Sequence, residues 1–287
     1  MIKRILTITN EYSNQIRAFK PNARLYLWNV ILTGAVMGVF RLIFNFYALS
    51  LGFDEALLGS LITASSFVAL IAALPMGYLA DIIGRKSSLI LSGGLLATSI
   101  IAMAIWQSEE IFYIMNALSG LAQSLAGVTM SPFLMENSEE KERTYLFSFG
   151  QGLMMTMASV GNWVGGYLPT WIGQVQNTEP TGSIAYGNSV FIAGIGAALA
   201  ILPLLFIKSP NIQRSQRAVF APFEFAAKHP GLLVKLILPM LITSLGAGLI
   251  MPFMNVFFRV VHNQPDPVIG TLFAWGSLAM GMGLLIA

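Results

Sequence analysis

The segment that decides the fold is a short polar turn, Gly77-Tyr78-Leu79-Ala80-Asp81-Ile82-Ile83-Gly84-Arg85-Lys86. The stretches on either side of it, residues 57–80 and 87–106, are apolar and carry no charge. Each is as long as the roughly 20 residues that an α-helix needs to cross a bilayer. The sequence therefore predicts two membrane helices that Gly77 and Gly84 allow to approach closely. It also predicts one carboxylate and two cations at the lipid headgroups.

The same composition extends along the whole chain. Of its 287 residues, 55% are hydrophobic and only 10% are charged, whereas soluble domains carry about 25% charged residues. Eight apolar stretches are long enough to be membrane spans, and Arg41 is the only Asp, Glu, Lys or Arg inside them. They are residues 25–49, 57–80, 87–106, 111–135, 144–172, 186–207, 236–258 and 267–287. This pattern predicts an all-α polytopic membrane protein.

The positions of the basic residues predict the topology. Fourteen of the 16 Lys and Arg residues precede span 1 or lie in the loops that follow spans 2, 4 and 6. Because basic loops remain in the cytoplasm, we expect a multi-pass protein of the plasma or inner membrane with a cytoplasmic N-terminus. The pI of about 9.2 then reflects topology, and a nucleic-acid partner is a poorer interpretation.

Residues 1–24 place apolar side chains at helical spacing with bases between them. This pattern favours a cytoplasmic amphipathic segment lying on the membrane face. A disordered tail is the alternative interpretation.

Span 7 repeats span 1 at a distance of 210 residues. Polar and glycine positions coincide at this shift, including Asn45 with Asn255 and Gly38 with Gly248. A parallel duplication of six spans would need about 420 residues for two complete copies. The sequence therefore predicts about eight of an expected twelve transmembrane helices, as in a fragment.

The turn at residues 77–86 resembles the loop between transmembrane helices 2 and 3 of the major facilitator superfamily. The signature of that loop reads G-x-L-a-D-r-x-G-r-k. The matching residues are Gly77, Leu79, Asp81, Gly84, Arg85 and Lys86. The resemblance implies a six-helix bundle at 25–207, a cytoplasmic connection at 208–235 and an incomplete second bundle at 236–287.

The family resemblance also implies a gating role at this end of the bundle. Asp81, Arg85, Glu136 and Arg143 are expected to latch the cytoplasmic side, with Glu136 pairing Arg85. Gly77, Gly84 and Lys86 complete the motif. The alternative is a solvated loop whose surface ion pairs contribute less than about 1 kcal/mol.

Five polar residues inside the spans are candidates for solute contacts: Arg41, Asn45, Asn116, Gln123 and Asn255. An arginine at the depth of Arg41 costs at least ~2.5 kcal/mol unless it meets water or a partner. Arg41 is therefore expected to face a wet cavity and bind an anionic or carbonyl group, or to pair with a helix beyond the eight. A structural or snorkelling arginine is the alternative, and Asn116 and Gln123 could instead bond neighbouring helices.

The function implied by the resemblance is transport of a small solute by alternating access, as a secondary transporter or facilitator, with drug efflux as one form. The residues leave the coupling ion, H+ or Na+, open. Asn116 and Asn162 stand where drug–proton antiporters of the family carry Arg and Pro, which disfavours ordinary proton antiport. The alternatives are a non-transporting scaffold or sensor and a transport-incompetent fragment. An enzyme is disfavoured because the spans hold no His, Asp or Glu, and no cofactor or metal is expected.

Overall fold

The computed structural model describes residues 19–208 and 227–286, and these ranges contain helices and turns without strands. The helices are α1 (Pro21–Ser50), α2 (Glu55–Ile83), α3 (Arg85–Ile105), α4 (Glu109–Glu136), α5 (Glu140–Gln176), α6 (Ser183–Leu199), α7 (Leu202–Leu205), α8 (Pro230–Ile250), α9 (Met254–Val260) and α10 (Asp266–Ile286). Residues 1–18 of the predicted amphipathic segment and most of the predicted 208–235 connection lie outside the described residues, and the last part of that segment, from Pro21, already belongs to α1.

The predicted fold class is confirmed. Seven helical segments of the described chain are long and apolar enough to cross a membrane. The remaining long helix, α5, spans 37 residues and is rich in glycine and polar side chains. Helices α1–α5 correspond to the first five predicted spans, and α6 with α7 corresponds to the sixth.

Glycine determines the turn between α2 and α3. Gly84 has φ +86°, a backbone conformation that side chains with a Cβ rarely adopt. Gly84 is both the C-cap residue of α2 and the N-cap residue of α3, and it is the single residue between the two helices. This end of the bundle carries Arg85, Lys86 and Lys208, and we call it the base-rich end.

A glycine contact joins α1 to α5. A methyl group built on Gly161 would overlap the backbone oxygen of Ala35, and one on Gly38 would overlap that of Ala158. Small residues at such spacing allow the backbones of two membrane helices to come together. The glycines of the two helices therefore allow α5 to pack closely against α1.

Two apolar clusters stabilise the bundle near its two ends. The cluster at the base-rich end includes Phe133 and Leu146. The larger cluster at the opposite end includes Phe112 and Tyr186, both fully buried. The helix ends at both membrane faces are thus fixed by buried side chains.

The seventh span differs from the prediction in its bounds and continuity. Helix α8 begins at Pro230, inside the segment expected to be a connection. A 3-10 turn at Met251–Phe253 then separates α8 from α9. Pro252 explains the interruption, because proline cannot donate the backbone hydrogen bond that a continuous helix requires.

The last helix, α10, packs along α5 through small residues. A methyl group on Gly270 would lie 2.6 Å from the oxygen of Asn162, and one on Gly281 would lie 3.0 Å from the oxygen of Gly152. Asn162 also donates to Ser277 Oγ at 2.9 Å. By contrast, α8 has no buried residue among those described.

Candidate functional site

Ionic and hydrogen-bonding side chains join four helices, α2, α3, α4 and α7, at the base-rich end. Arg85 contacts Asp81 at 2.7 Å, one turn earlier, and its Nε lies 3.4 Å from a carboxylate oxygen of Glu136. Lys86 Nζ donates to the backbone oxygen of Leu205 at 2.7 Å. The predicted Arg85–Glu136 contact is therefore present, while its role in gating stays a prediction.

The expectation for Gly77 fails. A Cβ on Gly77 would meet nothing within 4 Å, so this glycine does not serve a close approach of α2 and α3 in the described chain. The reason is that both helices pack mainly against α4. Arg143 was expected to take part in the latch; its buried Nε has no hydrogen-bond partner among the described residues, and its role in gating stays a prediction.

Two asparagines form a reciprocal contact between α1 and α9. Asn45 Nδ2 donates to Asn255 Oδ1 at 2.9 Å and to the oxygen of Pro252 at 2.7 Å. Asn255 Nδ2 donates to the oxygen of Leu42 at 2.8 Å. The two residues whose backbone oxygens accept these bonds, Leu42 and Pro252, are separated by the same 210 positions as the two asparagines. The sequence repeat is thus accompanied by a two-fold arrangement of hydrogen bonds.

Both asparagines are buried, with 3% of each residue exposed. They were proposed as solute ligands, yet in this conformation their amides are occupied by each other and by backbone oxygens. A solute could reach them only after α1 and α9 separate.

Arg41 is exposed at membrane depth. The seven residues that follow it, Leu42 to Ala48, are all buried. The described residues supply no hydrogen-bond or ion-pair partner for its guanidinium.

The two candidate solute residues on α4, Asn116 and Gln123, differ in their surroundings. Asn116 is buried and donates to the oxygen of Phe112 at 2.9 Å and to Met103 Sδ at 3.5 Å. It bonds within the bundle, as the alternative interpretation proposed. Gln123 is exposed, so of the five candidate solute residues Arg41 and Gln123 are the two that are open here.

A cluster at the end opposite the bases was not predicted as a site. Tyr186 Oη donates to Asp266 Oδ2 at 2.5 Å and accepts from Arg259 Nη2 at 2.5 Å. Arg259 also forms an ion pair with Asp266, and its guanidinium lies 4.0 Å from the ring centroid of Phe46. We call these residues the four-residue cluster.

The four-residue cluster was missed because Asp266 lies one residue before the predicted start of span 8, and Arg259 was counted as a loop base. An Arg and an Asp seven residues apart, on either side of a turn containing Pro265, were the available signal. Nothing in the sequence pointed to Tyr186, which lies 80 positions from Asp266.

The chemistry of these sites is that of binding and conformational change. The described residues contain no group of three His, Cys, Asp or Glu side chains that could hold a metal ion. The polar groups instead bridge helices at both ends, and Arg41 offers a positive charge between them. Contacts that join α1 and α6 to α9 and α10 can break when those helices separate.

The chain is similar to known proteins in sequence and in fold. A model of the Major Facilitator Superfamily matches residues 27–287. The MFS-type transporter YqjV of Bacillus subtilis (strain 168), described as uncharacterized, is 30% identical over 56% of this chain and 37% of its own length. A gallate transporter of Pseudomonas putida is 26% identical over 60% of this chain and 35% of its own length.

The chain thus spans about a third of the length of these curated relatives. The crystal structure of the nucleoside transporter NupG superposes with a TM-score of 0.60 and 15% identity, covering 92% of this chain and 65% of NupG. That likeness concerns the fold alone. With the family match extending over nearly all its residues, the chain belongs to the Major Facilitator Superfamily.

Proposed function

We propose that this chain is part of a carrier that moves a small anionic solute, a carboxylate in the first instance, across the membrane by alternating access. The observation that carries the proposal is Arg41, a cation open at membrane depth without a partner among the described residues. A guanidinium presents donors in a planar fork that matches a carboxylate. The relative named as a gallate transporter supports an aromatic carboxylate as the first solute to test.

The energetics of Arg41 favour a ligand over a structural role. A charged side chain at the centre of a bilayer costs about 2.5–3.5 kcal/mol on insertion scales. A wet cavity reduces this cost, and an anion that enters it supplies the missing countercharge. Gln123, which is also exposed, is proposed to line that cavity as a further polar side chain.

Alternating access requires two groups of helices that can move against each other. We propose residues 25–207 as the first, 236–287 as part of the second and 208–235 as their connection. The reciprocal bonds of Asn45 and Asn255 support this division, since they relate α1 and α9 by the repeat shift. In the conformation described, these asparagines and the four-residue cluster close the end opposite the bases.

The test is uptake into cells that express the complete reading frame containing residues 1–287. Saturable uptake of radiolabelled gallate, competed by other aromatic carboxylates and not by their neutral amides, is the expected result. Uptake that is absent for all carboxylates would contradict the proposal and leave a scaffold or sensor. A neutral solute that is carried with the same saturation would overturn the anionic substrate class.

We also propose that the protein is in the cell membrane and that its base-rich end is cytoplasmic. Residues 1–287 contain no cysteine, so single cysteines can report exposure. We expect Glu179→Cys, in the turn before α6, to react with an impermeant maleimide in intact cells. Glu140→Cys, in the first turn of α5, should react only after the cells are opened. The reverse pattern would show the opposite orientation.

The ion pairs at the base-rich end are proposed to favour one conformation. Asp81→Asn removes the charge that Arg85 contacts at 2.7 Å while keeping the size of the side chain. We expect uptake to fall roughly fivefold, because a partly exposed ion pair contributes at most about 1 kcal/mol. Expression should stay near normal.

The matched control is Glu140→Gln, which removes an exposed acid at the same end of the bundle. It should leave uptake unchanged. If Asp81→Asn also transports at the original rate, the motif marks the turn without taking part in gating.

A further inference from the structure

The four-residue cluster joins the first six helices to the last ones. Phe46 lies on α1 and Tyr186 on α6, whereas Arg259 and Asp266 flank the turn between α9 and α10. The Tyr186 hydroxyl receives a hydrogen bond from Arg259 and gives one to Asp266. Separation of the two sets of helices must therefore break the contacts of this hydroxyl.

The bonding pattern depends on the charge of Asp266. Each of its oxygens accepts one hydrogen bond, Oδ1 from Arg259 and Oδ2 from Tyr186. Only a carboxylate accepts at both oxygens while also balancing a guanidinium. When a proton binds one oxygen, one donor loses its acceptor and Arg259 loses its countercharge.

Asp266 is the buried acid of the described chain, with 6% of the residue exposed. Arg259 faces it from α9, and Tyr186 faces it from α6. Helix α5 packs against it through Gly166, and α1 contributes the ring of Phe46. His262 lies in the exposed turn after α9 and contacts Phe257 edge to face, with 5.0 Å between the ring centroids, while Glu179 is exposed in the turn before α6.

An open recess connects the cluster with the solution. It has a volume of about 490 Å³ and is lined by Arg259, Asp266, Thr170 and the turn residues Asn263 and Gln264, among others. Arg259 and Asp266 thus border both the interface between the helices and this recess, so a proton can reach the carboxylate without crossing the bundle.

We propose that the four-residue cluster is a proton-operated latch: a proton that binds Asp266 from the outer solution releases Tyr186 and Arg259 and favours opening of the outer end. One proton binds one carboxylate oxygen, and no other covalent bond forms or breaks. The unpaired guanidinium can then turn towards water in the recess. This inference rests on the proposed function, because a latch acts only where the two sets of helices separate.

The reciprocal asparagine contact lies next to the latch. Asn45 precedes Phe46, and Asn255 lies one helical turn before Arg259. The side-chain amides of Asn45 and Asn255 carry no titratable proton in the physiological range. Release of the four-residue cluster leaves these neutral hydrogen bonds as the remaining polar contact between α1 and α9, and they gain access to water or solute as the helices part.

The test measures a distance and requires no solute. Nitroxide labels on Ile184→Cys and Val261→Cys, two exposed positions near Tyr186 and Arg259, report the separation of α6 from the end of α9 by electron paramagnetic resonance. In the purified protein in nanodiscs, we expect a short distance at pH 7.5. The ratio of long to short distances should rise about tenfold towards pH 4.5, within the range usual for coupled equilibria.

Variants assign the proton. Asp266→Asn should give the long distance at both pH values, because the amide cannot balance Arg259. Tyr186→Phe keeps the ion pair but removes the bridging hydroxyl, so it should open the cluster at pH 7.5 without leaving a buried charge unpaired. If Asp266→Asn does not fold, the distance in Tyr186→Phe alone tests the latch. His262→Gln is the control and should respond to pH as the original protein does.

A short distance at every pH in Tyr186→Phe would overturn the latch. Loss of the pH response in His262→Gln would do the same, because the proton would then act on the histidine. Opening at low pH in a protein without carboxylate uptake would contradict the proposed substrate class and leave the latch standing. Carboxylate uptake without any change of distance at low pH would overturn the latch and leave the proposed substrate class standing.

Discussion

Arg41→Gln is expected to reduce carboxylate uptake about 100-fold, because alternating access closes the carrier over the bound solute, and removing one partner of a charge pair that is then desolvated costs roughly 2–5 kcal/mol. Glutamine stays polar and keeps hydrogen-bonding capacity, so the loss reports the charge. Arg41→Lys should be intermediate, since an ammonium keeps the charge without the planar fork. Initial rates of gallate uptake at several concentrations measure both variants.

The matched control is Arg24→Gln, which makes the same change at the start of the same helix. Arg24 is exposed at the base-rich end, away from the proposed cavity, and its variant should transport normally. Equal rates for Arg41→Gln, Arg41→Lys and the original protein would show that Arg41 does not bind the solute. A structural arginine would then be the remaining interpretation.

The second large effect is expected at the contact between α1 and α5. Gly161→Val places a branched side chain where even a methyl group would overlap the backbone oxygen of Ala35 and come within 3.0 Å of the Cα atom of Gly38. A backbone cannot rotate away as a side chain can, so the two helices must separate. We expect a loss of about 3 kcal/mol or more, at or above the upper end of the ~1–3 kcal/mol usual for overpacking.

The unfolding midpoint in detergent measures this loss, and the five tryptophans of the chain provide the fluorescence signal. Gly94→Val in α3 is the matched control, since a Cβ there would meet nothing within 4 Å. It should leave the midpoint nearly unchanged. Equal midpoints for the two valine variants would show that the α1–α5 contact adjusts more readily than its geometry indicates.

The spans and their order could be predicted because they depend on local properties. A run of 20 apolar residues forms a helix in a bilayer, where every backbone polar group must be satisfied within the chain. The turn at Gly84 could be predicted for a similar reason, since its φ of +86° belongs to a single residue. The pairing of Arg85 with Glu136 came from the family resemblance and is present at 3.4 Å.

The candidate solute residues show where such prediction ends. Helical spacing placed Asn116 and Gln123 on one stripe, yet Asn116 bonds within the bundle and Gln123 is open. The two residues point the same way around α4 but lie about 10 Å apart along its axis, so the neighbouring helices that cover Asn116 leave Gln123 uncovered. Asn45 and Asn255 were recognised as equivalent by the repeat, but the sequence did not show that each would occupy the other's amide.

The sequence by itself determined the helical membrane architecture, the glycine turn and the equivalence of spans 1 and 7, because each is encoded in neighbouring residues or in a fixed repeat distance. Only the tertiary structure decided which polar groups meet. Tyr186 reaches Asp266 across 80 positions, and Asn45 reaches Asn255 across 210. Contacts of this kind depend on how whole helices pack, and in a bilayer that packing follows close contacts of small residues such as Gly38 and Gly161.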